Sequence, residues 1–159
     1  MADLFAVSGS KIYIGTEVTA KDTVTETDFT AQEWTEIGGW TNAGAIGDTQ
    51  EVIEQTVISS GRVRKIKGTR NAGTMENQFL PDGEDPGQIA FKEAIESCKP
   101  YAFKIEWGAG CLEDGDPLPE GQTDMFYGLA LPGAKSGGEA NTAQLRAWSI
   151  AVDSNIVEV

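Results

Sequence analysis

Strict alternation is clearest near the middle of the chain. Tyr101, Phe103, Ile105 and Trp107 alternate with Ala102, Lys104 and Glu106, the period of two expected of a strand with one face in a core. Just upstream the period changes. Phe91, Ala94, Ile95 and Cys98 recur at i, i+3, i+4 and i+7, which predicts one amphipathic helix over about 86–98. Its ends are also marked. Asp85 suits the N-cap, Pro86 the first helical position, Gln88 the far side of a capping box, and Pro100 the stop.

Before the helix, Ala72–Leu80 has a strand pattern, with Met75 and Phe79 on one face and Thr74, Glu76 and Gln78 on the other. Gln50–Ile58 is rich in β-branched residues and meets a turn signal at Ser59-Ser60-Gly61, so residues 49–70 read as a long hairpin. Further strands are expected over 124–131 and 143–152, with Ile156–Val159 as a final edge strand. At the start, Leu4–Val7 and Ile12–Ile14 flank Ser8-Gly9-Ser10 as strand, turn and strand. Thr16–Glu33 has no helical period and reads as an exposed hairpin or an irregular loop. The predicted fold is therefore mainly β, a β-sandwich or distorted barrel with one flanking helix and a protruding hairpin, in a single domain over 1–159.

Composition sharpens that picture. A chain of 159 residues buries roughly 70% of its unfolded surface, enough for a core of its own. No apolar run approaches the roughly 20 residues of a membrane span, and the N-terminus has no basic region followed by an apolar one, so no membrane partner and no secretory signal are expected. On that basis Cys98 and Cys111 are expected to be free thiols.

Charge is the more telling quantity. The chain carries 25 acids against 12 Lys and Arg, a net −13, yet five of those cations (Arg62, Arg64, Lys65, Lys67 and Arg70) fall within ten residues of the second hairpin limb. The first limb carries Glu51 and Glu54. A charged ribbon held by cross-strand ion pairs and a docking arm for an acidic neighbour are both consistent with this pattern. Nucleic-acid binding fits less well, because the basic segment has no interleaved aromatic residues and the chain as a whole repels phosphates.

Chemistry has few candidates. There is no histidine, which removes imidazole-based triads and His-ligated zinc, and no GxSxG, GxGxxG or P-loop pattern occurs. The acids of Glu113-Asp114-Gly115-Asp116 lack the ordered spacing of a calcium loop. No catalytic, cofactor or metal residue is assigned. The tryptophans Trp34, Trp40, Trp107 and Trp148 admit two readings, a carbohydrate platform or buried core and subunit contact.

The order W-T-E-I-G-G-W, G-R-V-R-K-I-K-G, G-T-M-E-N-Q-F, D-P-G-Q-I-A-F-K-E-A-I and Y-A-F-K-I-E-W over residues 34–107, followed by F-Y-G-L-A-L and L-R-A-W-S-I-A-V-D-S, resembles a bacteriophage tail tube protein, the major tail protein of long-tailed phages. The resemblance covers most of the chain as a likeness of order without an invariant motif. It implies a structural virion protein, not an enzyme, that self-assembles into hexameric rings stacked as a tail tube for DNA ejection. It also implies that Arg62, Arg64, Lys65, Lys67 and Arg70, with Glu51 and Glu54, make contacts between rings. The lumen would be acidic, with Glu76 a candidate lining residue, so that DNA passes without specific binding. Implied partners are further copies of the chain, a tape-measure protein and tail-end proteins, in a virion tail assembled in the host cytoplasm. A capsid decoration or head–tail joining protein, and a non-viral carbohydrate-binding β-sandwich, are the competing expectations.

Overall fold

A computed structural model describes residues 7–108 and 122–159. The expected strand at 4–7, apart from Val7, lies outside the described residues, as do Cys111 and the acids Glu113, Asp114 and Asp116. The chain forms β1 (Lys11–Glu17), a 3-10 turn (Glu26–Phe29), β2 (Thr35–Glu36), β3 (Trp40–Asn42), β4 (Thr49–Val57), β5 (Arg62–Asn71) and β6 (Thr74–Phe79). Helix α1 (Pro86–Glu96) follows, and then β7 (Tyr101–Glu106), β8 (Thr123–Leu131), β9 (Lys135–Ser136), β10 (Leu145–Val152) and β11 (Val157–Glu158).

One antiparallel sheet of order β2-β1-β7-β8-β10-β6-β3 curls into a half-barrel. β9 adds to β10, and β11 adds to β8. β8 is the hub: it pairs with β7 along one edge and with β11 and then β10 along the other. Its residues are accordingly buried on both faces. Phe126 and Ala130 join Ile12, Ile14, Phe79, Phe91, Phe103, Trp148 and Ile150 in the main core beneath α1. Trp148, 2% exposed, stacks on Phe91 of the helix at 4.6 Å between ring centroids. Burial of these large rings is what holds helix to sheet.

Met125 and Tyr127 point to the opposite face, where Val24, Phe29 and Ala102 form a second apolar cluster. Beyond the end of β1, Thr16–Glu33 is an irregular loop with one 3-10 turn, not an exposed hairpin, and it does more than connect. It runs across the outer face of the sheet, plugging it with Val24 and Phe29 and tying down through Asn155, whose side chain bonds both the N–H and the carbonyl of Val24. Two plug residues are too few to leave a period in the sequence, which is why the covering role was not legible there.

The helix differs from expectation in two respects. It ends at Glu96, with Ser97 already extended, so Cys98 leaves the apolar stripe and is an exposed free thiol. Asp85 does cap the helix, accepting the N–H of Gln88 at 2.9 Å, but Gln88 completes no capping box. Its side chain is buried and turned inward, where Nε2 donates to the carbonyls of Gly38 and Leu80 and Oε1 accepts the N–H of Asp82. The backbone of two crossing segments takes up this amide in place of the helix N-terminus, which Asp85 already caps.

Near the other end of the sheet Asp124 is buried, and its Oδ2 accepts the indole N–H of Trp107 at 2.6 Å. Its Oδ1 has no partner among the described residues. Burial raises its pKa above the ordinary carboxylate value, the Trp107 bond opposes that, and Glu158 adds to the rise. The folded state therefore holds this proton more tightly than the unfolded chain, so Asp124 erodes stability as pH climbs from 3.8 through its raised value. Asp124→Asn keeps the acceptor for Trp107 and removes the buried charge. We expect a higher melting temperature than the parent at neutral pH, with the difference shrinking toward about pH 4 as the parent's carboxyl takes up its proton. A variant with an unchanged or lower melting temperature at neutral pH would contradict this account.

Candidate functional site

β4 and β5 form a two-stranded sheet of their own, and their substantial contacts are with each other. Thr49 pairs with Asn71 at the root, Ile53 with Ile66 midway and Val57 with Arg62 beside the tip. The reversal closes through the Gly61 N–H on the Val57 carbonyl, with Gly61 at a positive φ of 60° that suits glycine. A bulge lies between Gln50 and Val52: two residues, Gly68 and Thr69, stand where Glu51 alone stands opposite.

Cross-strand partners share a face, so the register sorts the side chains. One face carries the pairs Ile53–Ile66, Gln55–Arg64 and Val57–Arg62, with Glu51 beside the bulge. The other carries Val52–Lys67, Glu54–Lys65 and Thr56–Val63, and at the root Gln50–Arg70. Neither face is covered. Ile58 is 98% exposed at the tip, Ile66 64%, Val52 58% and Ile53 53%. A lone two-stranded ribbon is marginal in water, and one bearing uncovered isoleucines on a protruding arm is an interaction surface by its composition.

The predicted ion-pair ribbon is realised only once. Lys65 Nζ lies 3.5 Å from Glu54, both side chains more than half exposed, a pair worth little on its own. Arg62, Arg64, Lys67 and Arg70 have no carboxylate within 4 Å among the described residues. Arg70 stands apart from the rest. It lines a hollow of about 390 Å³ at the root with Asp22, Asp48 and Asp153 of its own chain. With two acids and five cations the ribbon carries +3, leaving −16 on the rest of the chain. Glu76 is exposed on β6 opposite Ser149, flanked on the open sheet face by Thr74, Gln78, Ala147 and Ala151. Neither β6 nor β10 places a cation on that face.

Of the tryptophans Trp148 is buried, and Trp34, Trp40 and Trp107 are half-buried against the two apolar clusters. Trp148 is core, Trp34 stacks against Phe29, and Trp40 packs on Trp107 while donating to Asn77. A flat aromatic platform for sugars is not assembled from them. Among the described residues no group of three or more Cys, Asp or Glu could hold a metal ion, and no helix is long and apolar enough to cross a membrane.

One surface escaped the sequence reading. Ile89, Glu93 and Glu96 follow one another along the outer side of α1 and border a groove of about 480 Å³, which Pro132, Trp148 and Arg146 close from the sheet side. Its trace in the sequence is a polar-face row at i, i+4 and i+7 that begins with an isoleucine, easily taken for ordinary helix surface.

No protein-family model matches the sequence, and no curated protein does. Solved structures do. A chain in the 6-fold symmetrised cryo-EM structure of the anti-feeding prophage baseplate superposes with a TM-score of 0.69 at 12% identity, covering 100% of this chain and 97% of the other. A chain of the sheath/tube terminator of PVC, an extracellular contractile injection system, gives 0.65 at 11% identity, with 99% and 98% covered. The SPP1 tail tube gives 0.56 at 13% identity, with 96% and 78% covered. The resemblance to tail tube proteins seen in the sequence thus holds for the fold along essentially the whole chain.

Proposed function

We propose that this chain is a structural tube subunit of a phage-like tail, not an enzyme. Copies associate side by side into rings, hexameric in this reading, and rings stack into a hollow tube. The observation that carries the proposal is the β4–β5 ribbon. It projects from a fold shared with a tail tube, bears uncovered apolar residues on both faces, and is cationic on an otherwise acidic chain. An arm of that kind is complementary to another copy of the same subunit.

In this reading Arg62, Arg64, Lys65 and Lys67, with Glu51 and Glu54, lie between rings. Arg70 steadies the root, and Glu76 faces the lumen. An acidic wall lets a polyanion slide through without adhering, so DNA is cargo and not a ligand. A tape-measure protein and tail-end proteins would be the remaining partners, in a virion tail assembled in the host cytoplasm.

Negative-stain microscopy of the purified chain over a concentration series, with and without preformed tube seeds, tests the proposal. Stacked rings enclosing a channel are expected. Single rings, or rings that bind capsids without stacking, would replace the tube by a joining or decoration role. A monomer under every condition would overturn the assembly reading itself.

A further inference from the structure

Resting on that reading, we infer where the arm lands: the Ile53–Ile66 face of the ribbon docks on the Ile89–Glu93–Glu96 row of α1 in a second copy. The argument is one of matched spacing. On β5, Ile66, Arg64 and Arg62 point to one face at two-residue steps, placing the arginines about 6.7 and 13 Å from the isoleucine. Along α1, Glu93 and Glu96 follow Ile89 at rises of about 6 and 10.5 Å on one side of the helix. Isoleucine then meets isoleucine, Arg64 meets Glu93 and Arg62 meets Glu96. The long arginine stems absorb the residual mismatch of about 3 Å.

Chemistry points the same way. Ile89 is 42% exposed, a large aliphatic residue uncovered on the helix surface, and the ribbon's Ile66 and Ile53 need such a surface. Glu93 and Glu96 have no cation within 4 Å among the described residues, nor do Arg62 and Arg64 have a carboxylate. Lys92 and Arg146 also border the groove. Glu51, one row beyond the isoleucine pair on the root side of the same ribbon face, falls before Ile89 in this alignment, so Lys92 gains no carboxylate from the ribbon. A second ribbon is a poorer occupant: packed parallel it would set Arg62 and Arg64 against their own copies, and packed antiparallel it offers them Glu51 alone, where α1 offers two carboxylates. The contact joins two different patches, so it is heterologous: it builds a ring or an open stack, not a closed dimer.

The test is a cross-link and a charge exchange. In a Cys98→Ser, Cys111→Ser background, Ile66→Cys with Ile89→Cys is expected to give disulfide-linked multimers on mild oxidation of assembled protein, and monomers from dispersed protein. Separately, Glu93→Arg with Glu96→Arg should raise the concentration needed for assembly by about tenfold or more. Adding Arg62→Glu and Arg64→Glu to that variant should restore assembly. Tubes that form without the cross-link, together with a fourfold variant that stays dispersed, would overturn this landing site while leaving the tube function standing. A parent chain that never assembles would instead remove the function on which the inference rests.

Discussion

Arg62→Glu, Arg64→Glu and Lys65→Glu, introduced together, leave a folded subunit that no longer forms tubes. The fold tolerates the change because all three side chains are exposed and none reaches the core. Among the described residues the one intramolecular ion pair lost is Lys65–Glu54, which becomes a like-charge pair across the strands and costs a few tenths of a kcal/mol to about 1 kcal/mol. Between copies the effect is far larger. The ribbon passes from +3 to −3 while the rest of the chain remains at −16, so attraction becomes repulsion at every contact of a repeating assembly. Because each copy donates and receives an arm, the penalty recurs throughout the stack. The melting temperature of the dispersed subunit should stay within a few degrees of the parent. Sedimentation and negative-stain images should show no stacked rings. Normal tubes from this variant would rule out the arm as the docking element.

How much of this was written in the chain depends on how local the determining physics is. The β7 alternation, the α1 period and the hairpin strands were legible because each element announces itself within a short window. So was the Asp85 cap, since an N-cap answers to its own helix. What escaped depends on partners distant in sequence. Val24 and Phe29 were unreadable as a plug because their meaning comes from Met125 and Tyr127, about a hundred residues later. Gln88 looked like a capping residue because its true partners, Gly38 and Leu80, are met only through the fold. The same division applies to the candidate site. The basic limb stood out by composition alone, whereas Ile89, Glu93 and Glu96 gain meaning only when the ribbon's register supplies a matching row.

Gln88→Leu should be among the most damaging single changes available outside the aromatic core. Leucine nearly matches glutamine in volume, so the cavity contribution is small and the loss isolates the hydrogen bonds. Gln88 is 1% exposed, and its amide satisfies the Gly38 carbonyl at 2.9 Å, the Leu80 carbonyl at 2.8 Å and the Asp82 N–H at 2.9 Å. Leucine leaves those three backbone groups without this partner, at about 1–3 kcal/mol for each that stays dry, and we expect a total near 3–5 kcal/mol. Against a typical domain stability of about 5–15 kcal/mol that is a large fraction, a fall in melting temperature of roughly 10 °C for a chain of this length. Gln88→Glu should be worse at neutral pH, because it removes both donors and sets a buried charge against two carbonyls. Gln78→Leu, a polar-to-apolar change on the sheet's open face, supplies the control and should cost under about 0.5 kcal/mol. Urea unfolding midpoints of the three variants decide the matter. A loss below about 1 kcal/mol for Gln88→Leu would mean that water reaches those backbone groups, and that the helix N-terminus is held by Asp85 alone.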